Sequence, residues 1–308
     1  MTRCAALVFT LLSAPLTSCL LAAPRLAPHG HAHAHAHHRP TAAAVGRPRA
    51  APAVAVAAPA VRAVVAVGLN SGLAALGVSK GVGTAEQPRV LTRSGLANAW
   101  LLGVMLWASL GWRGWSVCVV YLIIGSAVTK VKKAKKEALG IAEGRGGARG
   151  PENVWGAAAT AAACAIGAAV CPAKSAALRL AFVASLATKL SDTCASEIGK
   201  AYGKTTYLIT TLKLVPPGTE GAVSAEGTAA GALGSVVLTG FAMACGLVGP
   251  AAALPCVLAA FIATNVESLI GALAQDRFRW LTNEVVNWIM TVVGAVVSVP
   301  LGVLLGAL

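Results

Sequence analysis

Residues 96–131 read LANAWLLGVMLWASLGWRGWSVCVVYLIIGSAVTKV, and this stretch decides the fold. Up to Thr129 its only charged residue is Arg113, held in the segment Gly111-Trp112-Arg113-Gly114. An α-helix crosses the hydrocarbon core of a bilayer in roughly 20 residues, so the run is too long for one span and suits two short ones. Glycines between them let the chain reverse. The expectation is a pair of membrane helices, 96–112 and 114–131.

Runs of the same kind recur outward in both directions, at 63–79, 154–171, 174–190, 229–247, 250–267 and 285–306. Cys171-Pro172-Ala173-Lys174 and Gly249-Pro250 mark two further tight reversals. The expected fold class is all-α, a polytopic membrane helix bundle of about eight spans, with six to eight possible. Composition agrees: of 308 residues, 56% are hydrophobic and 12% charged, against roughly 25% charged in a soluble domain. The mean hydropathy is +0.72. A soluble enzyme and a disordered scaffold are both excluded. The net charge of +14 invites a nucleic-acid partner, but the basic residues lie scattered between apolar runs instead of forming one patch.

Their distribution instead orients the bundle. With eight spans, the connections after spans one, three, five and seven share one face. That face carries sixteen of the twenty basic residues from Arg62 onward. The positive-inside rule turns it toward the cytosol, or the stroma of a plastid. All eleven acidic residues also fall on this face or within a turn of it. An active site is therefore expected to open there. The run Lys130 to Lys136 reads as a topology anchor at a span end, and Gly144 to Gly150 (GRGGARG) as a mobile basic loop.

Residues 1–62 differ from the rest. Arg3 precedes a short apolar stretch ending in small residues, the pattern of a signal peptide. Residues 24–62 are rich in Ala, Pro, His and Arg and lack acids, which suits a transit segment. The expected organisation is a targeting leader, 1–62, and an integral-membrane catalytic domain, 63–308, in a plastid membrane, with the endomembranes as the alternative. All six histidines lie in the leader, so the remainder has no histidine base or metal ligand. The eight cysteines show no close spacing and read as small apolar residues.

Chemistry concentrates in 188–231, TKLSDTCASEIGKAYGKTTYLITTLKLVPPGTEGAVSAEGTAAG. If the helix continues past Leu190, Asp192, Ser196 and Glu197 come close enough to converge on one cation, with Ser191 beside them. Carboxylates at membrane depth are costly and commonly functional, and hard oxygen donors suit Mg2+ better than zinc. The following loop is dense in small and hydroxylated residues. Gly218, Thr219, Gly221, Ser224, Gly227 and Thr228 can cradle phosphate beside a helix N-terminus. Lys189, Lys200, Lys204 and Lys213 are nearby cations. No Walker sequence is present. Gly227 and Gly231 also have the spacing of close helix packing, the stronger reading there. Glu267 and Ser268 close span seven, while Asn283 and Asn287 share one face at the start of span eight.

Four motifs resemble an integral-membrane family that contains the plastid phytyl-phosphate kinase. They are S-D-T-x-A-S-E-I-G (Ser191 to Gly199), L-I-T-T-L-K-x-V-P-P-G-T-x-G-x-V-S-x-x-G-T (Leu208 to Thr228), E-S-L-x-G-A (Glu267 to Ala272) and L-T-N-x-x-V-N (Leu281 to Asn287). The resemblance covers about residues 63–308. Glu267 and Glu284 stand where Asp is common in the family, and Cys194 where a larger apolar residue is common.

The resemblance implies transfer of a nucleotide's terminal phosphoryl group to phytyl monophosphate, giving phytyl diphosphate for tocopherol and phylloquinone synthesis. Asp192, Glu197 and Glu267 are then expected to hold Mg2+, and the 216–228 loop with Lys213 to hold phosphates. ATP, CTP or UTP is the co-substrate, and the isoprenoid tail lies among the spans. The expected partners are an isoprenoid phosphate, a nucleotide and membrane lipids. Two other classes remain open. A lipid-phosphate cytidylyltransferase would release pyrophosphate, and a transporter or scaffold would carry no chemistry.

Overall fold

The computed structural model describes residues 54–79 and 90–308. Residues 1–53 of the expected leader, with the histidines, Cys4 and Cys19, lie outside the described residues. Helices occupy every expected span: α1 (Val54–Ser79), α2 (Arg93–Thr129), α4 (Pro151–Val170), α5 (Ser175–Tyr202), α6 (Ala225–Ala244), α7 (Ala253–Ala274) and α8 (Asn283–Leu304), with a short α3 (Lys133–Ala138) between α2 and α4. The only sheet among the described residues pairs β1 (Tyr207–Leu208) antiparallel with β2 (Ala222–Val223). The protein is an all-α integral-membrane bundle.

Among the described residues, five helices are long and apolar enough to cross a membrane: Arg93–Thr129, Pro151–Val170, Ala225–Ala244, Pro250–Ala274 and Asn283–Leu304. The 37-residue α2 is interrupted at Gly111, whose φ of 67° and ψ of −161° are not helical. Straight, such a helix would hold Gly95 and Gly125 roughly 45 Å apart at 1.5 Å per residue. Instead both lie against Arg149: a Cβ on Gly95 would meet the Arg149 carbonyl, and one on Gly125 its guanidinium. The Trp107 and Trp115 rings, four residues either side of the break, meet edge to face at 5.4 Å. Thus α2 is a hairpin of two arms, and the reversal expected at Gly111 is present. Glycine is required there because the positive φ strains any residue with a Cβ.

The centre of the bundle is α5, which packs against α2, α4, α6, α7 and α8. Phe182, Val183, Leu186 and Leu190 are fully buried along it. Charge keeps α5 out of the group of purely apolar spans. Its second half carries Lys189, Asp192, Glu197 and Lys200, while residues 180–188 before them are all buried. Against α6 the approach is backbone to backbone. A Cβ at Gly227 would lie 2.6 Å from the Ala195 carbonyl oxygen, and one at Gly231 3.0 Å from that of Ser191. Small residues allow such close crossings, where dispersion replaces the hydrophobic drive that lipid cannot supply.

The helix ends sort by side. At one end Thr92 N–H donates to the Arg149 carbonyl at 3.1 Å, and Arg149 N–H to that of Val90 at 3.1 Å. At the other end Arg113 donates to the Gly246 carbonyl at 3.1 Å, closing the α2 reversal onto the turn after α6. Residues 90–92 and the connection that ends at Arg149, both expected on the charged face, therefore meet at one end of the bundle.

Candidate functional site

That end holds a polar cavity of about 390 Å3. Its floor is the second half of α5, and its walls are the starts of α6 and α8 and the second half of α7. Two connections form its rim, 142–149 and 217–224. Continuation of α5 to Tyr202 is what brings Asp192 inside. Asp192 is 8% exposed and accepts from Lys189 Nζ at 2.6 Å, one turn away. The same ammonium donates to Asn287 Oδ1 at 2.9 Å, tying α5 to α8. Glu267, on α7, interacts electrostatically with Asp192, Lys189 and Glu220, and Ser268 Oγ donates to its carboxylate at 3.4 Å. Thr264 Oγ1 donates to Ser191 Oγ at 3.4 Å.

Two carboxylates and one ammonium are thus brought from two helices into one partly dehydrated pocket. Opposite charge beside each carboxylate compensates for lost hydration. Among the described residues no three His, Cys, Asp or Glu side chains converge to form a metal cage. A two-carboxylate set still fits Mg2+, which takes one or two protein carboxylates and completes its shell with water and substrate phosphates. Ser191 and Ser268 add hard oxygens at the same place.

Glu197 departs from expectation. Five residues along a helix rotate a side chain by roughly 140° relative to Asp192, so the two carboxylates leave α5 in different directions. Glu197 turns away from the cavity and pairs with Lys136 of α3, both side chains being 1% exposed. Lys200 Nζ stands 4.0 Å from its second oxygen. Glu197 therefore does not join Asp192 around a cation. Lys213 is also placed elsewhere. It is exposed on the excursion between β1 and β2, and its carbonyl accepts from Leu208 N–H at 2.9 Å. Ser196, four residues after Asp192, does line the cavity, as do Asn283 and Asn287.

The glycine loop lines the cavity too, but the hydroxyls of Thr219 and Ser224 are engaged locally. Thr219 Oγ1 donates to the Pro216 carbonyl at 2.8 Å. Ser224 is the N-cap of α6, its Oγ accepting from Gly227 N–H at 3.1 Å. Gly227 has no side chain because α5 passes beside it, as described above, and Gly221 (φ 74°) lies against the Ser268 carbonyl and Ala272. Gly218 (φ 89°) sits over Ile141. Thr228 remains exposed on the first turn of α6. The loop's glycines thus serve its turns and its packing on α5 and α7.

The GRGGARG segment contributes more than its composition indicated. Arg145 pairs with Glu152 and donates to Asn153 Oδ1 at 2.7 Å, and Asn153 donates to Glu284 Oε1 at 3.2 Å. Arg149 donates to the Tyr121 hydroxyl at 2.9 Å. Glu284, Asn153 and both arginines line the cavity. Position beside the Gly150-Pro151 helix start was the available signal, since a connection pinned at a helix N-terminus cannot swing freely.

Comparison with known proteins supplies the family. The integral membrane protein DUF92 family matches residues 80–295. The chain is 55% identical over 212 residues to an uncharacterised membrane protein of Synechocystis sp., sll0875, covering 68% of this chain and 82% of that one. It is 49% identical over 217 residues to the chloroplastic protein VTE6 of Arabidopsis thaliana, covering 68% of this chain and 64% of that protein. An uncharacterised membrane protein of Methanocaldococcus jannaschii is 40% identical over 119 residues, 38% of this chain and 49% of that one. No solved structure matches significantly. The four motifs at the cavity all lie inside the matched region, and the chain belongs to the integral membrane protein DUF92 family.

Proposed function

We propose that the protein is a prenyl-phosphate kinase of plastid type, transferring the terminal phosphoryl group of a nucleoside triphosphate to phytyl monophosphate. The observation that carries this reading is the grouping of Asp192, Lys189 and Glu267 in one polar cavity at the charged end of an otherwise apolar bundle. A bundle of this kind gives a greasy acceptor an apolar place for its chain and a polar end for its phosphate. Similarity to a chloroplastic relative and the resemblance of four motifs to phytyl-phosphate kinases support the substrate and the compartment.

In the reaction an oxygen of the acceptor monophosphate forms a bond to the γ-phosphorus, and the bond from that phosphorus to the bridging oxygen breaks, releasing nucleoside diphosphate. The acceptor is already an anion, so no side chain has to remove a proton from it. The work left to the protein is alignment and charge neutralisation, the main contributions in phosphoryl transfer. Asp192 and Glu267 would hold Mg2+, with Ser191 and Ser268 beside them, and the ion supplies neutralising charge to nucleotide phosphate oxygens. Lys189 holds the Asp192 carboxylate in a fixed orientation and, with Asn287, fixes α5 against α8. Arg145 and Lys200 place positive charge at the rim, where an incoming triphosphate meets it first.

The test uses purified full-length protein in detergent with phytyl monophosphate, Mg2+ and nucleotides labelled in either the α or the γ phosphate. The reading expects γ label in a lipid diphosphate. Label from the α phosphate in the lipid, with release of pyrophosphate, would make the protein a nucleotidyltransferase instead.

A further inference from the structure

A second cavity, of about 180 Å3, lies beside the first, between α1, both arms of α2 and α4. Its walls are apolar, built by Leu96, Leu102, Leu106, Leu122 and Ala158 among others. Three residues line both cavities, Tyr121, Arg149 and Asn153. The two spaces therefore meet at a seam where a guanidinium, a phenol and an amide stand between a polar chamber and an apolar one.

Arg149 is the informative member of that seam. Its backbone is pinned on both sides, N–H to the Val90 carbonyl and carbonyl to Thr92 N–H, each at 3.1 Å. Its side chain donates to the Tyr121 hydroxyl at 2.9 Å, a neutral partner. Among the described residues none of the carboxylates forms an ion pair with it. A guanidinium held in a bundle without a counter-charge is costly unless an anion joins it. Arginine's planar fork suits a phosphate, which it can bind through two parallel hydrogen bonds.

We infer that this seam is the acceptor subsite: Arg149 binds the phosphate of an isoprenoid monophosphate, and the apolar cavity behind it takes the isoprene units nearest that phosphate. The inference rests on the kinase reading and adds the position and polarity of the acceptor. One end of the ligand must be anionic and the other apolar, and the seam presents that order of surfaces. Its reactive oxygens then face the chamber of Asp192 and Glu267. The apolar cavity is smaller than the roughly 300–1,000 Å3 that encloses a drug-sized ligand. It accordingly holds the head of the chain, and the remainder runs out among lipid tails, so binding is governed by the first isoprene units and depends little on total length.

Photolabelling tests this on the wild-type, full-length protein in nanodiscs. A prenyl monophosphate carrying a diazirine in its second isoprene unit is irradiated and the adducts are mapped by mass spectrometry. Adducts on α2 and α4 peptides, competed by unlabelled prenyl monophosphate and not by prenyl alcohol, support the subsite. Arg149→Gln should weaken that competition at least tenfold and Arg149→Lys less, while Val119→Trp, at a residue of α2 that lines the apolar cavity, should abolish the adducts with nucleotide binding unchanged. Adducts confined to α6 and α7 would overturn it, as would equal labelling by a diazirine phosphatidylglycerol that prenyl monophosphate does not displace. The kinase reading fails separately: labelled α2 and α4 without any phosphoryl transfer would remove the reaction and leave the subsite, and transfer without such labelling would do the reverse.

Discussion

Lys136 and Glu197 form an ion pair in which each side chain is 1% exposed, joining the short α3 to the last turns of α5. Lys136 Nζ also donates to the Thr129 carbonyl at 2.7 Å, at the end of the second α2 arm. Lys135 reaches the Ala201 carbonyl at 3.0 Å, and Lys132 lies 3.6 Å from the centre of the Tyr202 ring. Three lysines of one basic run thus strap the α2–α4 connection across the end of the helix that carries Asp192.

Breaking this pair on one side leaves a buried charge without its partner, a loss of about 3–5 kcal/mol. Lys136→Met and Glu197→Leu should each lower the unfolding midpoint in detergent markedly, whereas the double variant should recover much of the loss. Additive losses would show that the two residues act independently.

Gly227 faces the Ala195 carbonyl, so Gly227→Ala has to push α6 off α5. Overpacking of this kind costs about 1–3 kcal/mol. Thermal unfolding should report that loss, with Gly240→Ala as the control, because a Cβ at Gly240 has nothing within 4 Å. Equal stability of the two variants would contradict the close crossing.

Ser224→Ala removes the N-cap of α6. The expected result is a loss of about 1 kcal/mol in stability with phosphoryl transfer largely retained. Loss of nucleotide binding without loss of stability would instead assign Ser224 to the phosphates, the role its loop composition first indicated.

Much of the architecture was legible beforehand because its causes are local. Gly111 and Gly114 interrupt an apolar run too long for one span, and the chain reverses there. Gly227 and Gly231 have the spacing of a close crossing, and α5 and α6 cross at them. The face-sorting of acids and bases requires only an alternating chain, and Asp192, Glu267 and Asn287 meet at one end of the bundle as that sorting implies. Glu197 falls elsewhere because five residues along a helix turn its side chain away from that of Asp192, and because its partner lies 61 residues away. Nothing local distinguishes Lys136 from its exposed neighbours. Its burial follows from where α3 docks, a tertiary outcome. Arg149 was likewise hidden, since its position at the seam depends on pairing with residues 90–92.

Glu267 should report on the cation. Glu267→Gln keeps size and hydrogen bonding while removing charge beside Asp192. The Mg2+ concentration for half-maximal activity should rise at least about tenfold, in the range by which disturbed metal sites lose affinity. An unchanged Mg2+ dependence would remove Glu267 from the ion's surroundings.

The most direct measurement is the single-turnover rate of phosphoryl transfer to phytyl monophosphate by Asp192→Asn, in protein whose unfolding midpoint matches the wild type. Loss of a carboxylate that positions charge around the transferred group predicts a fall of at least ~100-fold. Transfer at the wild-type rate by a folded Asp192→Asn protein would contradict the account.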